Sequence, residues 1–191
     1  MYHIYTHAIG SEDLFRNDHN YQFFLTKYKK YIPLIGKTYA YCLLPSHLHI
    51  LIQFHSEDMI RKNVAKQSKL LSQKEKVEEI IYRQIGNLFN SYTQSYNKYF
   101  HRRGSLFIEG FKRKSIDNMN YFLNVLKYIH QNPVNHNFVL DSINWRYSSV
   151  KEYLLEKEII TSQKWMNERL ENLDKASLYT TNSSVIIKFD N

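Results

Sequence analysis

The spacing of hydrophobic positions changes several times along the chain, and each change marks an element. Residues 2–9 alternate, weakly, between apolar and polar positions and predict a first strand. SEDLFRNDHN (11–20) is polar and turn-like, with Asp18 placed to cap the next helix. Tyr21, Phe24, Leu25, Tyr28 and Ile32 then recur at helical spacing. KTYAYCLL (37–44) and HLHILIQF (47–54) are apolar, β-branched and aromatic runs broken by Pro45-Ser46, the pattern of a strand–turn–strand hairpin. Residues 56–80 are rich in Lys, Gln and Glu and predict a helix or a mobile insertion.

From Ile81 onward, Ile85, Leu88, Phe89, Tyr92, Tyr96 and Tyr99 follow every three or four positions, a long amphipathic helix that stops before Gly104. A short strand or hairpin is expected over 105–114, bent at Gly110. A further helix, capped by Asp117 and ended by Pro133, comes next, and a short one follows near 148–157. The order β-α-β-β-α-β-α predicts an α+β fold, a central antiparallel sheet with helices mainly on one face. One domain is expected over 1–155, followed by a C-terminal tail, 156–191, partly disordered and most loosely anchored over 174–191.

Composition narrows the class. With 191 residues the chain is large enough to bury a core without disulfides. Its one cysteine, Cys42, can form neither an internal disulfide nor a multi-cysteine zinc site. No apolar run approaches ~18 residues, so a cytoplasmic protein without a membrane span is expected. The net charge is +8, and Tyr alone supplies 16 residues. The charge is concentrated: 1–150 carry 20 basic and 11 acidic side chains, and KYFHRRGSLFIEGFKRK (98–114) sets six cations against Glu109 alone. Cations bind phosphates and aromatic faces stack on unpaired bases, so the combination favours a nucleic-acid partner. A solvated basic hairpin with Phe107 and Phe111 turned to the core is the plainer alternative.

Two further groups can carry chemistry. In His47-Leu48-His49 the two imidazoles of a strand point the same way, ~6.5–7 Å apart. They can converge on a metal ion or sit as two surface histidines on an edge strand. In the helix ending YIHQNPV (128–134), Phe122, Val125, Leu126 and Ile129 form the buried stripe, and Tyr121, Tyr128 and Asn132 share a flank. Tyr128 can equally be a packing residue and Asn132 a C-cap.

Taken in order, LLPSHLHILI, RRGSLFIEGFK, YIHQNPV and Trp145 followed by Tyr147-Ser148-Ser149 resemble the HUH-type single-tyrosine transposases. Within them the likeness is to the group associated with repetitive extragenic palindromes (REP), and it covers about 1–155. The resemblance implies an RRM-like (ferredoxin-like) sandwich and DNA transposition through a covalent intermediate. His47 and His49 match the two metal-binding histidines, Tyr128 the nucleophile, and Asn132 the third metal-binding position. A divalent metal, Mg2+ or Mn2+, is the implied cofactor, and single-stranded or hairpin DNA the implied partner. Arg102, Arg103, Lys112, Arg113 and Lys114 are DNA-binding candidates from charge and location. A monomer is expected, with a homodimer as the alternative. A non-catalytic nucleic-acid-binding module and a metal hydrolase acting on another substrate are the competing classes.

Overall fold

The computed structural model describes residues 1–67, 74–155 and 159–162. Four strands, β1 (Tyr2–His7), β2 (Gly36–Leu43), β3 (His47–Phe54) and β4 (Lys112–Ser115), form one sheet in the order β2-β3-β1-β4 with every neighbour antiparallel. The connecting helices are α1 (Asp18–Tyr31), α2 (Glu57–Gln67), α3 (Val77–Tyr99), α4 (Met119–Asn135) and α5 (Val150–Leu154). This is the ferredoxin-like α+β arrangement, with β3 and β1 in the interior of the sheet. The two histidines of β3 are therefore not edge-strand residues.

Strand alternation divides the core in two. Ile4, Tyr41, Leu43, Leu48, Ile50 and Ile52 face α1, α2 and α3, whose Phe24, Tyr28, Ile60, Val64, Leu88 and Tyr92 complete that layer. Ala40, Cys42 and Leu51 face the other way, against Phe122, Val125, Leu126 and Ile129 of α4 and Val150 and Tyr153 of α5. A bulge between Thr38 and Ala40 brings Tyr39 onto the α4 side, where its ring meets Phe122 edge-on at 5.6 Å. So the expected bias of helices to one face holds for α1, α2 and α3, and α4 and α5 lie over part of the opposite face. That second layer is narrower than the sheet, which leaves the β1–β4 side of the same face open to solvent.

Several boundaries differ from the sequence pattern for local reasons. Asn17, not Asp18, caps α1 by accepting the Asn20 N–H at 3.1 Å. Asn118, not Asp117, caps α4 through the Tyr121 N–H at 2.8 Å. In the 105–114 segment, Phe107 makes only an isolated bridge to Ala8 and regular pairing begins at Lys112, after Gly110 bends the chain at φ +75°. The polar 56–80 region contains α2, anchored by buried Ile60 and Val64; its residues 68–73 lie outside the described residues. α3 starts at Val77, earlier than the apolar spacing suggests.

The most consequential difference is at Pro133, which does not end its helix. Proline removes one backbone N–H, but α4 runs two residues further, and the His136 N–H donates to the Asn132 carbonyl at 3.0 Å while the Phe138 N–H donates to that of Pro133 at 2.9 Å. Asn132 is thus fully helical and one turn beyond Tyr128.

The start of the C-terminal tail is also docked. Buried Glu152 accepts the backbone N–H groups of Ile159, Ile160 and Thr161, and Thr161 forms a parallel bridge to Thr38 on the β2 edge. The expected loose segment 174–191 lies outside the described residues. Among the described residues no helix is long and apolar enough to cross a membrane.

Candidate active site

The site forms where β3, β1 and the last turns of α4 meet. Residues opposite one another in antiparallel strands share a face. Tyr5 lies opposite His49 and His7 opposite His47, while Lys112 and Lys114 of β4 lie opposite Tyr5 and His3. His3, Tyr5, His7, His47, His49, Lys112 and Lys114 therefore occupy a single face, the one that α4 partly covers. The β1 residues are missing from the sequence reading. Their signal was alternation: HIYTH puts His3, Tyr5 and His7 on one side of a strand.

Helix α4 brings the other two matched residues to the histidines. Asn132, 1% exposed, holds its Oδ1 3.3 Å from the His47 Nε2. The half-buried Tyr128 ring meets the His49 ring edge-on, centroids 5.4 Å apart, and that of His3 at 6.1 Å. His47 and His49 are themselves 5.2 Å apart and nearly perpendicular. On the exposed side, the rings of His7 and His136 lie 5.0 and 4.7 Å from that of His47. Thus His47, His49, Tyr128 and Asn132, which lie 85 positions apart at the extremes, come together within one chain.

Burial sets the protonation of this cluster. Desolvation, then the charge of Lys114, lowers the His3 pKa from 6.5 to about 3. Desolvation, then His136, lowers that of His47 to about 4, and His49 is held well below its usual value, chiefly by burial. All three are neutral at pH 7, the form in which imidazole binds metals. Burial raises the Tyr128 pKa, and the Asn132 side-chain hydrogen bond opposes the rise. Tyr128 therefore keeps its proton at neutral pH.

The donor set fits a divalent cation. His49 uses Nδ1 in a 3.0 Å contact with the His3 Nε2, while its Nε2 is buried without a hydrogen-bond partner. A buried ring nitrogen left over in this way, when it carries no hydrogen, is what a bound cation would satisfy. With the His47 Nε2 and the Asn132 Oδ1 it gives two nitrogens and an amide oxygen, all neutral. Among the described residues no group of three or more His, Cys, Asp and Glu is arranged to hold a metal, so any site here depends on the amide.

The residues between and beyond these positions form the frame. His130, pushed to about 3 by burial, bonds the Ser149 Oγ at 2.7 Å, and that oxygen also accepts the Tyr41 N–H at 3.0 Å. The Trp145 Nε1 donates to the Leu43 carbonyl at 2.9 Å. The YIHQNPV and Trp-x-Tyr-Ser-Ser segments are thereby fixed to β2, which positions α4 over β3.

The basic candidates separate. Lys112 and Lys114 face the site, their Nζ atoms 6.0 Å from the Tyr5 ring and 5.6 Å from the Tyr121 ring. Arg113, alternating to the opposite face, lies between the rings of Tyr2 and Tyr82. Arg102 is tied to Glu12 at 2.8 Å, to Asn97 at 2.9 Å and to the Ser105 carbonyl at 2.6 Å, a loop clasp in place of an open cation. Arg103 is exposed on the same loop.

No family model matches this chain, and no curated protein matches it. Its fold is shared with a solved structure, that of a REP-associated tyrosine transposase bound to a REP hairpin. The two superpose with a TM-score of 0.58 over 81% of this chain and 78% of that one, at 15% sequence identity.

The depressed histidines make stability pH-dependent in a definite direction. Between the folded values of about 3 to 4 and the unfolded 6.5, the unfolded chain binds more protons, so stability is complete above 6.5 and falls as pH drops through that window. Urea denaturation of the protein in EDTA should show the midpoint falling steadily from pH 7 to pH 4.5, with a shallower fall in His130→Gln. A flat midpoint would contradict neutral burial of these rings.

Proposed function

We propose that this chain is an HUH-class, single-tyrosine transposase of the REP-associated kind, which nicks and rejoins single-stranded DNA beside a hairpin. The observation that carries the reading is the convergence of Tyr128 with His47, His49 and Asn132 of the same chain, in the sequence order the motifs lead one to expect. The shared fold with a hairpin-bound transposase supports it.

The chemistry follows from the residues. The Tyr128 oxygen attacks a backbone phosphorus in line with the 3′ oxygen. The P–O3′ bond breaks, the phenolic proton passes to solvent, and the departing 3′ oxygen takes one up. A 5′-phosphotyrosine and a free 3′-hydroxyl result. Because the new bond is also a phosphodiester, attack by the 3′-hydroxyl of a second end restores Tyr128 without a nucleotide cofactor. His47, His49 and Asn132 would hold a divalent cation, Mg2+ or Mn2+, which supplies charge to polarise the scissile phosphate and orient it. Three neutral ligands would leave the net charge of the complex at +2, and Tyr128, its pKa raised by burial, enters the reaction protonated.

Lys112, Lys114 and exposed Arg103 contact the DNA backbone in this reading. Arg113 serves the opposite face, and Arg102 holds the loop. Tyr128 meets the histidines of its own chain, which supports a site complete in a monomer.

A denaturing gel of the protein with fluorescent single-stranded hairpin oligonucleotides tests the reaction class. A covalent adduct that survives SDS is expected with Mn2+ and absent with EDTA or in Tyr128→Phe, whose DNA binding persists. Binding without an adduct, across several hairpins and both metals, would favour the non-catalytic module.

Salt titrations of DNA binding test the cations. Lys112→Ala and Lys114→Ala should each reduce the slope of log K against log salt by about 0.7, the value for one phosphate of a single strand. Arg102→Ala should leave the slope unchanged and lower Tm. Equal slopes for all variants would overturn the assignment.

A further inference from the structure

His3 has no place in the motifs, yet it is 0% exposed and makes the one hydrogen bond of the His49 ring, Nε2 to Nδ1 at 3.0 Å. We infer that His3 is a positioning residue that fixes the tautomer of His49, holding its proton on Nδ1 and leaving Nε2 as a bare donor for the cation. The inference rests on the metal-binding reading of the site.

A neutral imidazole carries one N–H, so a contact between two ring nitrogens holds a single proton. In one arrangement the His49 Nδ1–H donates to the His3 Nε2, and the His49 Nε2 keeps its lone pair on the side of the ring turned away from His3. In the other, His3 donates and the His49 Nε2 carries a hydrogen. Burial alone does not choose between the two, since the His3 Nδ1 and the His49 Nε2 are alike buried ring nitrogens, but the second arrangement puts a hydrogen where a cation would bind. Only the first is compatible with ligation. Outer partners of ligating histidines commonly act in this way, through a carboxylate, a carbonyl or water. Here the partner is a neutral ring on the neighbouring strand, which adds no negative charge to the site.

The sheet makes the arrangement rigid. His3 lies opposite Leu51, diagonal to His49 across the β1–β3 pair, and the two rings are nearly parallel with centroids 5.1 Å apart. Tyr5, directly opposite His49, lies 5.1 Å from the His3 ring and 6.0 Å from that of His49, so the three rings form one cluster.

The test uses the full chain, freed of metal and labelled with 15N-histidine. Long-range 1H–15N correlation reads the His49 tautomer, assigned by comparison with His49→Ala, and titration calorimetry reads Mn2+ affinity. Wild type and His3→Gln, whose side-chain oxygen can accept the same proton, should show His49 protonated on Nδ1 and bind Mn2+ within a few-fold of each other. His3→Leu should lose that tautomer and bind Mn2+ about 10–100-fold more weakly. His3→Ser, too short to reach, replaces the leucine variant if that fails to fold. A wild-type His49 protonated on Nε2, or a leucine variant with tautomer and affinity unchanged, would overturn the inference. Wild-type protein with the expected tautomer but no Mn2+ binding would overturn the metal reading instead, leaving the His3–His49 proton assignment intact.

Discussion

The antiparallel register of β1 against β3 is the constraint on which the rest depends. Side chains in a strand alternate with a period of two, so a one-residue slip would turn His47 and His49 into the α1–α3 layer and bring Leu48 and Ile50 to the site. The register is held from both sides. Ile4, Leu48, Ile50 and Ile52 are buried against α1 and α3, and the His3–His49 bond and the stacked His7–His47 rings sit on the other face. The same packing that makes the core therefore places the imidazoles.

A second constraint is the seat of α4. Phe122, Val125, Leu126 and Ile129 press it onto β2 and β3, and the His130–Ser149–Tyr41 bonds fix its angle from the far side. Tyr128 and Asn132, one turn apart, then reach the histidines without any loop to position them. A site built on a strand and a helix of one core keeps its geometry better than one built on loops. The remaining side is open: β4 presents Lys112 and Lys114 on the same face, a basic margin suited to a phosphate backbone crossing the sheet.

The succession of elements along the chain and the pairing of β2 with β3 were legible because the apolar runs are long and the break at Pro45-Ser46 is sharp. The buried stripe of α4 was legible for the same reason, and with it the shared flank of Tyr128 and Asn132. Pro133 misled: local preference ends a helix there, whereas the burial of Ile129, His130 and Asn132 keeps the last turn helical. The interior position of β3 and the contribution of His3, Tyr5 and His7 depend on which strands pair, which no local pattern states. The fate of Arg102 was illegible too, because its partner Glu12 is 90 positions away in sequence. Charge density pointed to the 98–114 region as a whole, and only alternation along β4 separates Lys112 and Lys114 from Arg113.

In the proposed function, two strand histidines and a helix amide of one chain hold a cation beside Tyr128. The most direct measurement is the anomalous scattering of crystals soaked in Mn2+, collected above and below the manganese edge. A peak bounded by the His47 and His49 nitrogens and the Asn132 oxygen, next to the Tyr128 hydroxyl, is expected. Manganese bound elsewhere, with this cluster empty at saturating Mn2+, would contradict it.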